Sequence, residues 1–483
     1  MSIVDPQSLL RTLCEQPRET EWLEFKHNKF DADEVGQYVS ALANSAMFEN
    51  QNHGYLVFGV EDGTHRVVGT SVRLKDEKVG NENFENWLTR WLDPRLNLHF
   101  VSFDSPEGHI EIIVIEPAYQ RPVAFKHEMY IRVDSVKKNL RDYPERTRTL
   151  WAITSRFSFE QGIAASHLSV DRIFELFACE ELIDLLRLPK RSREGIIGLL
   201  LDEELIVDDK QGGFDATNLL ALVAARDISQ FEILRKKAPR VITYEGNTKS
   251  VAIDDTSGNL GYAVAYPRLL KYIMDRVPHR EEIRHGVRVT EYSYPEISIR
   301  EFLANALIHQ DLTSVGDGPL IEIYGDKLEI TNPGAPLVTP DRFIDAPAKS
   351  RNERLAGLMR RLGFCEERGS GIDRALEAIE AQSLPPPLFR EVENSTVVTL
   401  FAERAFAAMS KTERIRACYQ HASLRFLASN HMSNSSLRRR LGLSDAQYPQ
   451  ASNVIKDATE VGLIKPLDAE QANRNARYIP HWA

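Results

Sequence analysis

The stretch RETEWLEFKHN, residues 18–28, gathers Glu19, Glu21 and Glu24 at the start of a strand-like segment, with Lys26 two places after Glu24. Residues two apart on a strand share a face. Glu24 and Lys26 therefore point the same way, with Leu23 and Phe25 turned to the other side. An acid beside a lysine at a strand end is how many metal-dependent nucleases place a ligand next to the group that orients the attacking water. The same residues also suit a plain solvated strand end. Converging carboxylates raise one another's proton affinity or recruit a cation, and an all-oxygen set suits Mg²⁺ or Mn²⁺.

Two further groups carry chemistry. REFLANALIHQDL places Glu301, Asn305 and His309 at i, i+4 and i+8, one face of a helix. Downstream lie TNPG, with Asn332 and Gly334, and ERGSGIDRA, with Gly369 and Gly371 opening a helix. Glycine-rich turns at helix N-termini bind phosphate through backbone N–H groups. No G-x-x-x-x-G-K-[ST] occurs in the chain, which excludes a P-loop ATPase. NSSLRRRLGLSDAQYPQASNVIKDATEVGLIKPLD reads as helix, turn, helix and wing. Asn434 or Ser435 would cap the first helix, and residues 446–461 would form the recognition helix, with Pro449 in its first turn. Arg438, Arg439 and Arg440 would meet phosphates, although the recognition helix is poor in base-reading arginine.

The elements that must position these residues follow from periodicity. LEFK reads as a short strand, DEVGQYVSALANSAM as a helix, and GYLVFGV with THRVVG as a hairpin over 54–69. LHFVSFD, HIEIIVIEPA and EMYIRVDS are further strands, and ENWLTRWLDP a second helix. Residues 151–245 read as mostly helical. Strand and helix alternate again over 246–405, and 406–483 is three helices with a hairpin-like tail.

The chain has 483 residues, 42% hydrophobic and 27% charged, which is ordinary globular composition. No apolar run of membrane length and no leader-like segment occur, and the four cysteines form no CxxC pair. These features lead to the expectation of a cytoplasmic protein without a membrane partner. The net charge of −10 conceals two basic zones: 12 Lys/Arg against 7 Asp/Glu from 403 to the end, and 6 against 3 over 132–148. Arg132, Lys137 and Lys138 in the second zone are candidate phosphate contacts.

The segments ETEWLEFK, YVSALANS, HGYLVFGVEDGTHRVVG and YIRVDS, in this order, resemble the Schlafen AlbA-like domain. The resemblance covers residues 1–150. It implies a three-acid endoribonuclease site of Glu19, Glu24 and Asp62, with Lys26 as its lysine and Glu61 as the other candidate for the third acid. Asp134 departs from the family, which usually shows glycine there. The set around Asn305 resembles a divergent GHKL-type ATP-binding domain. That resemblance implies Asn305 on Mg²⁺ and the phosphates, Glu301 orienting water, and Gly369 and Gly371 lining the phosphate loop. Here Asn332-Pro333-Gly334 replaces the aspartate turn that reads adenine. The C-terminal segment resembles a winged helix.

The expected fold is therefore an α+β multidomain chain. It comprises a Schlafen AlbA-like α+β domain at 1–150, a helical connecting region at 151–245, a GHKL-like α/β sandwich that binds ATP at 246–405, and a winged helix at 406–483. The expected function is metal-dependent endoribonuclease action on structured RNA such as tRNA, regulated by the nucleotide module, in antiviral defence. The alternative is an ATP-binding, DNA-binding transcriptional regulator without nuclease activity. RNA is favoured over DNA as partner. A homodimer or higher assembly is expected, because one such lobe covers little of a structured RNA.

Overall fold

The computed structural model describes residues 6–16, 19–96, 98–119, 121–154, 158–189, 191–210, 212–284, 287–314, 316–347, 349–366, 370–468 and 476–483. The chain divides into two compact units. One comprises Met1–Cys179, Lys190–Ala221 and Phe231–Ile233, and the other Glu180–Pro189, Leu222–Gln230 and Leu234–Ala483. Among the described residues no helix is long and apolar enough to cross a membrane.

The first unit opens with α1 (Pro6–Cys14), β1 (Leu23–Lys26), α2 (Ala32–Phe48) and β2 (Gly54–Phe58). Strands β3 (Leu98–Ser105) and β4 (Gly108–Ile115) form a hairpin. The sheet runs β1-β2-β4-β3, with β1 parallel and β4 antiparallel to β2. Its two faces bury separate cores. Leu23, Phe25, Tyr55, Val57, Ile112 and Val114 pack with Leu9, Leu10 and Leu13 of α1. Leu56, Phe58 and Ile113 pack with Val35, Val39, Leu42 and Ala43 of α2. Period-2 alternation thus places Glu24 and Lys26 on the α2 side.

The expected hairpin over 54–69 reduces to a single bridge between Val60 and Val67. Both edges of β2 are already occupied by β1 and β4, so no return strand can add to it. Gly59, at φ +105, turns the chain out, and its carbonyl accepts from Val68 and Gly69 N–H. A side chain there would strain both the backbone and the contact with Ile110.

Helix α2 begins at Asp31, whose side chain accepts from Glu34 N–H, and Asp33 and Glu34 favour the positive helix end. Its SALANS segment buries polar groups that serve β5 (Glu128–Val133), which pairs with β6 (Val136–Asn139). Ser40 Oγ and Asn44 Nδ2 donate to Val123 O at 2.8 and 2.9 Å, and Asn44 Nδ2 also to Tyr130 O at 2.7 Å. Tyr130 and Arg132 N–H donate back to Ser40 Oγ and Ser45 Oγ at 3.1 and 2.8 Å. These bonds dock β5 on α2 in a single register. The β5–β6 turn keeps its left-handed residue although glycine is absent: Asp134 sits at φ +56, a conformation aspartate tolerates.

Within the region read as helical, strands Ile163–Leu168, Ile206–Asp208 and Phe214–Thr217 form a three-stranded antiparallel sheet beside the helices. Asp215 on this sheet is buried and accepts from Asn52 Nδ2 at 2.8 Å and His167 N at 2.8 Å.

The second unit is built on a six-stranded mixed sheet. Its strands are β7 (Arg240–Tyr244), β8 (Ala252–Ser257), β9 (Leu320–Ile323), β10 (Lys327–Pro333), β11 (Leu388–Val392) and β12 (Ser395–Phe401), in the order β8-β7-β9-β10-β12-β11. Helix α3 (Glu296–His309) packs on β10 and against α4 (Gly371–Ala381). Strand β8 is an edge with Ile253 64% exposed. Helices Lys411–Leu427, Asn434–Arg440 and Tyr448–Glu460 follow, then the paired strands Ile464–Pro466 and Tyr478–Pro480. The middle helix is capped by Ser433 in a capping box with Ser436, one place before the expected Asn434.

Candidate active site

The β1 acids are tied together by a residue expected elsewhere. Arg132, read from sequence as a phosphate contact, is wholly buried. Its guanidinium reaches β1: one nitrogen meets Glu24 Oε2 at 2.5 Å and donates to Leu23 O at 2.8 Å. The other meets Glu19 Oε2 at 3.2 Å and Ser135 O at 2.8 Å. Arg132 therefore cannot touch a nucleic acid, and it acts as counter-charge to two carboxylates. The planar fork of arginine suits this double duty.

Every oxygen of the two inner acids has a cationic or N–H neighbour. Glu19 Oε1 accepts from Phe25 N–H at 2.8 Å, and Glu24 Oε1 accepts from Lys26 Nζ. Burial and the Glu24 charge push the Glu19 carboxyl up to about 7, against the pull of Phe25 N–H and Arg132, and Asp62 adds a smaller push. Burial works against the Lys26 charge, but Glu24 and Tyr38 outweigh it and raise its proton affinity.

The structure also separates the two candidates for the third acid. Glu61 is engaged within its own turn, accepting from Thr64 Oγ1 at 2.7 Å and facing Arg66 at 3.5 Å. Asp62 is exposed and makes no ion pair among the described residues. The expected metal-ligand set of Glu19, Glu24 and Asp62 is not assembled for a cation. Arg132 and Lys26 already occupy the inner carboxylates, and among the described residues no three such side chains gather as a metal group. The donor set as it stands does not fit a resident metal.

The remaining basic candidates divide by strand parity. Lys137 and Lys138 lie on opposite faces of β6. Lys137 is half-buried over the Tyr38 ring, and Lys138 is exposed on the other side. Of the C-terminal arginines, Arg440 is buried against Glu380 Oε1 at 3.2 Å and Leu384 O at 2.8 Å. Arg438 pairs with Asp445 and donates to Asn434 Oδ1 at 3.0 Å. Only Arg439 of the three is exposed without an ion pair among the described residues.

In the second unit Glu301 is buried, with Oε1 accepting from Arg300 at 2.7 Å. Its other oxygen lies where a Cβ on residue 371 would stand, so a side chain there would have to displace the buried Glu301 carboxylate. Gly369 lies outside the described residues. The Asn305 side chain is half-buried and makes no side-chain hydrogen bond among the described residues. His309 is pushed down to about 4 by burial and by Arg351, and so stays neutral.

The end of α3 is locked by SRN, a signal the sequence reading missed. Asn352 Nδ2 donates to Ile308 O and Gln310 O at 2.7 and 2.9 Å, and Arg351 to His309 O at 3.2 Å. Asp311 N–H donates to Pro333 O at 2.8 Å, which brings the Asn332–Gly334 turn to the same helix end. Gly334 sits at φ +105 against Asp311, and Asn332 is buried.

Comparison with known proteins agrees with this division. Residues 19–141 match the Schlafen AlbA_2 family, which spans Glu19, Glu24, Lys26, Asp62, Arg132 and Lys137. Residues 316–400 match the family described as "Putative ATP-dependent DNA helicase recG C-terminal". That match takes in Asn332, Gly334 and Gly371 but begins after Glu301 and Asn305. The chain thus carries a Schlafen AlbA_2 domain and an ATPase-like domain. A search of curated proteins finds no match. Among solved structures, the DIP2311 protein from Corynebacterium diphtheriae is similar at 17% identity and TM-score 0.43, over 98% of this chain and 96% of that one.

Proposed function

We propose that this chain is an endoribonuclease of Schlafen type acting on structured RNA, with a nucleotide-binding module that regulates it. The observation that carries the reading is the continuous run of charges Glu19–Arg132–Glu24–Lys26 at β1. A protein that only held phosphates would gain nothing from carboxylates beside its lysines, because they repel the ligand. Burying them with an arginine is costly as well. Both costs are understandable at a site that handles protons. Glu19, with its carboxyl at about 7, carries a proton it can release at physiological pH. In this reading water bonds to the phosphorus and gives one proton to solvent, while Glu19 protonates the leaving oxygen of the scissile phosphodiester. Lys26 neutralises charge on the strand next to the scissile phosphate, and Arg132 orients both carboxylates without touching substrate. Asp62 is the exposed acid of the set.

In the second unit, Asn305 and the Asn332–Gly334 turn would hold a purine nucleotide, and Gly371 lets the Glu301 carboxylate stand against the start of α4. A homodimer completes the reading, with a second copy supplying the opposite wall around a folded RNA.

The test is incubation of the purified chain with structured RNA, once with Mn²⁺ and once with a chelator. Discrete fragments with the wild type, and none with Glu19→Gln, are expected. Intact RNA in both conditions would turn the reading towards a DNA-binding regulator. Three helices followed by a strand pair over 411–480, the element order of a winged helix, with Arg439 exposed, would then carry the function.

A further inference from the structure

Tyr38 of α2 holds two lysines from two different strands on one ring. Lys26 Nζ of β1 stands 4.5 Å from the ring centroid and Lys137 Nζ of β6 stands 4.3 Å from it. The phenol oxygen is 3.3 Å from Lys26 Nζ. Two ammonium groups sharing one half-buried ring repel each other, and the ring's attraction offsets only part of that. The local acids do not complete the compensation. Glu24 is committed to Lys26 and Arg132, and Glu34 to Lys29 at 2.7 Å. Lys137 has no ion pair among the described residues. Its proton affinity is lowered by burial, with Lys26 and Lys29 adding repulsion against the pull of Glu34 and Glu24. A half-buried cation without a partner, next to a second cation, is a seat for an anion.

We propose that Lys137 and Lys26, spaced by Tyr38, form the seat of one phosphate of the nucleic-acid strand beside the reacting one. The assignment rests on the nuclease reading of the Glu19–Glu24–Lys26 site, which it deepens by naming the group that holds the strand. A phosphate there meets two ammonium groups, and its charge removes the repulsion between them. The Glu24 charge beside it is shared by Arg132 and Lys26, and Glu19 is held by Arg132. Tyr38 is a positioning residue: it sets where the two lysines stand and does not react. Lys138, on the opposite face of the same strand, takes no part.

The experiment measures binding of a labelled single-stranded RNA to the full chain by fluorescence anisotropy over a range of salt. Loss of one phosphate contact lowers the slope of log affinity against log salt by about 0.7. Lys137→Ala should therefore bind more weakly, with its deficit shrinking by about 2.6-fold between about 50 and 200 mM salt, as that slope requires. Lys138→Ala removes the same charge from the other face and should keep the wild-type slope. Tyr38→Phe should match the wild type, and Tyr38→Leu should weaken binding with both lysines present. Inorganic phosphate serves as a competitor to distinguish a strand phosphate from a free one. Equal slopes for Lys137→Ala and wild type, or equal losses for the two lysine variants, would overturn the seat while leaving the nuclease reading standing. Phosphate binding that depends on Lys137 without an effect on RNA would also overturn it. A wild type that binds no RNA would overturn both.

Discussion

Replacing Glu19 by glutamine should make the first unit more stable at alkaline pH while abolishing RNA cleavage. The carboxyl rises from an ordinary 4.5 to about 7, so the folded state resists its ionisation. The sign follows from linkage. Below the unfolded value the group is neutral in both states and costs nothing. The cost grows as pH rises from there to about 7 and is complete above. At about 1.36 kcal/mol per pH unit the ceiling is about 3 kcal/mol, and the solvent that still reaches the group brings the expected gain to about 1–2 kcal/mol. Glutamine keeps the acceptor for Phe25 N–H and never ionises. The stability difference between Glu19→Gln and wild type should therefore shift by that amount in favour of glutamine between pH 4.5 and pH 8. Urea unfolding followed by tryptophan fluorescence reads this unit selectively, because Trp22, Trp87, Trp91 and Trp151, four of the five tryptophans, lie in it. A difference that stays constant across that range would refute the argument that Glu19 is held against ionisation.

Arg132→Met should destabilise the same unit by about 3–5 kcal/mol at pH 8, because it strands two inner carboxylates. The loss should be smaller at pH 5, where Glu19, with its carboxyl raised to about 7, holds its proton, and the same unfolding assay reads it. Asn305→Ala should lower the affinity for a non-hydrolysable ATP analogue with Mg²⁺ at least tenfold by isothermal titration, and unchanged heats would remove Asn305 from the site. Light scattering at micromolar concentration should give about twice the 54.9 kDa chain mass. Ile253→Lys, on the exposed edge strand β8, tests that edge as the self-contact: it should return the chain to single mass, and a persistent dimer would exclude the edge.

Much of the site was legible in the sequence because it depends on local periodicity. A strand repeats every two residues, so LEFK alone places Glu24 beside Lys26 with Leu23 and Phe25 behind. The same parity puts Lys137 and Lys138 on opposite faces, and the polar residues of SALANS mark a helix with unusual work to do. The tolerance of aspartate for a left-handed turn lets Asp134 replace glycine without changing the hairpin. Tertiary structure decided what local pattern cannot carry. In the sequence, Arg132 is one of several basic residues in a hydrophilic run, and nothing within a few residues distinguishes it from Lys137. Its burial follows from backbone bonds to Ser40 and Ser45 some 87 to 90 residues away, which fix β5 so that this one side chain crosses to Leu23 and Glu24. Arg440 is withdrawn from the solvent in the same way by Glu380 and Leu384. A charged side chain is sorted into counter-charge or contact surface by which carboxylates and carbonyls the chain brings to it, and that pairing is set by distant segments.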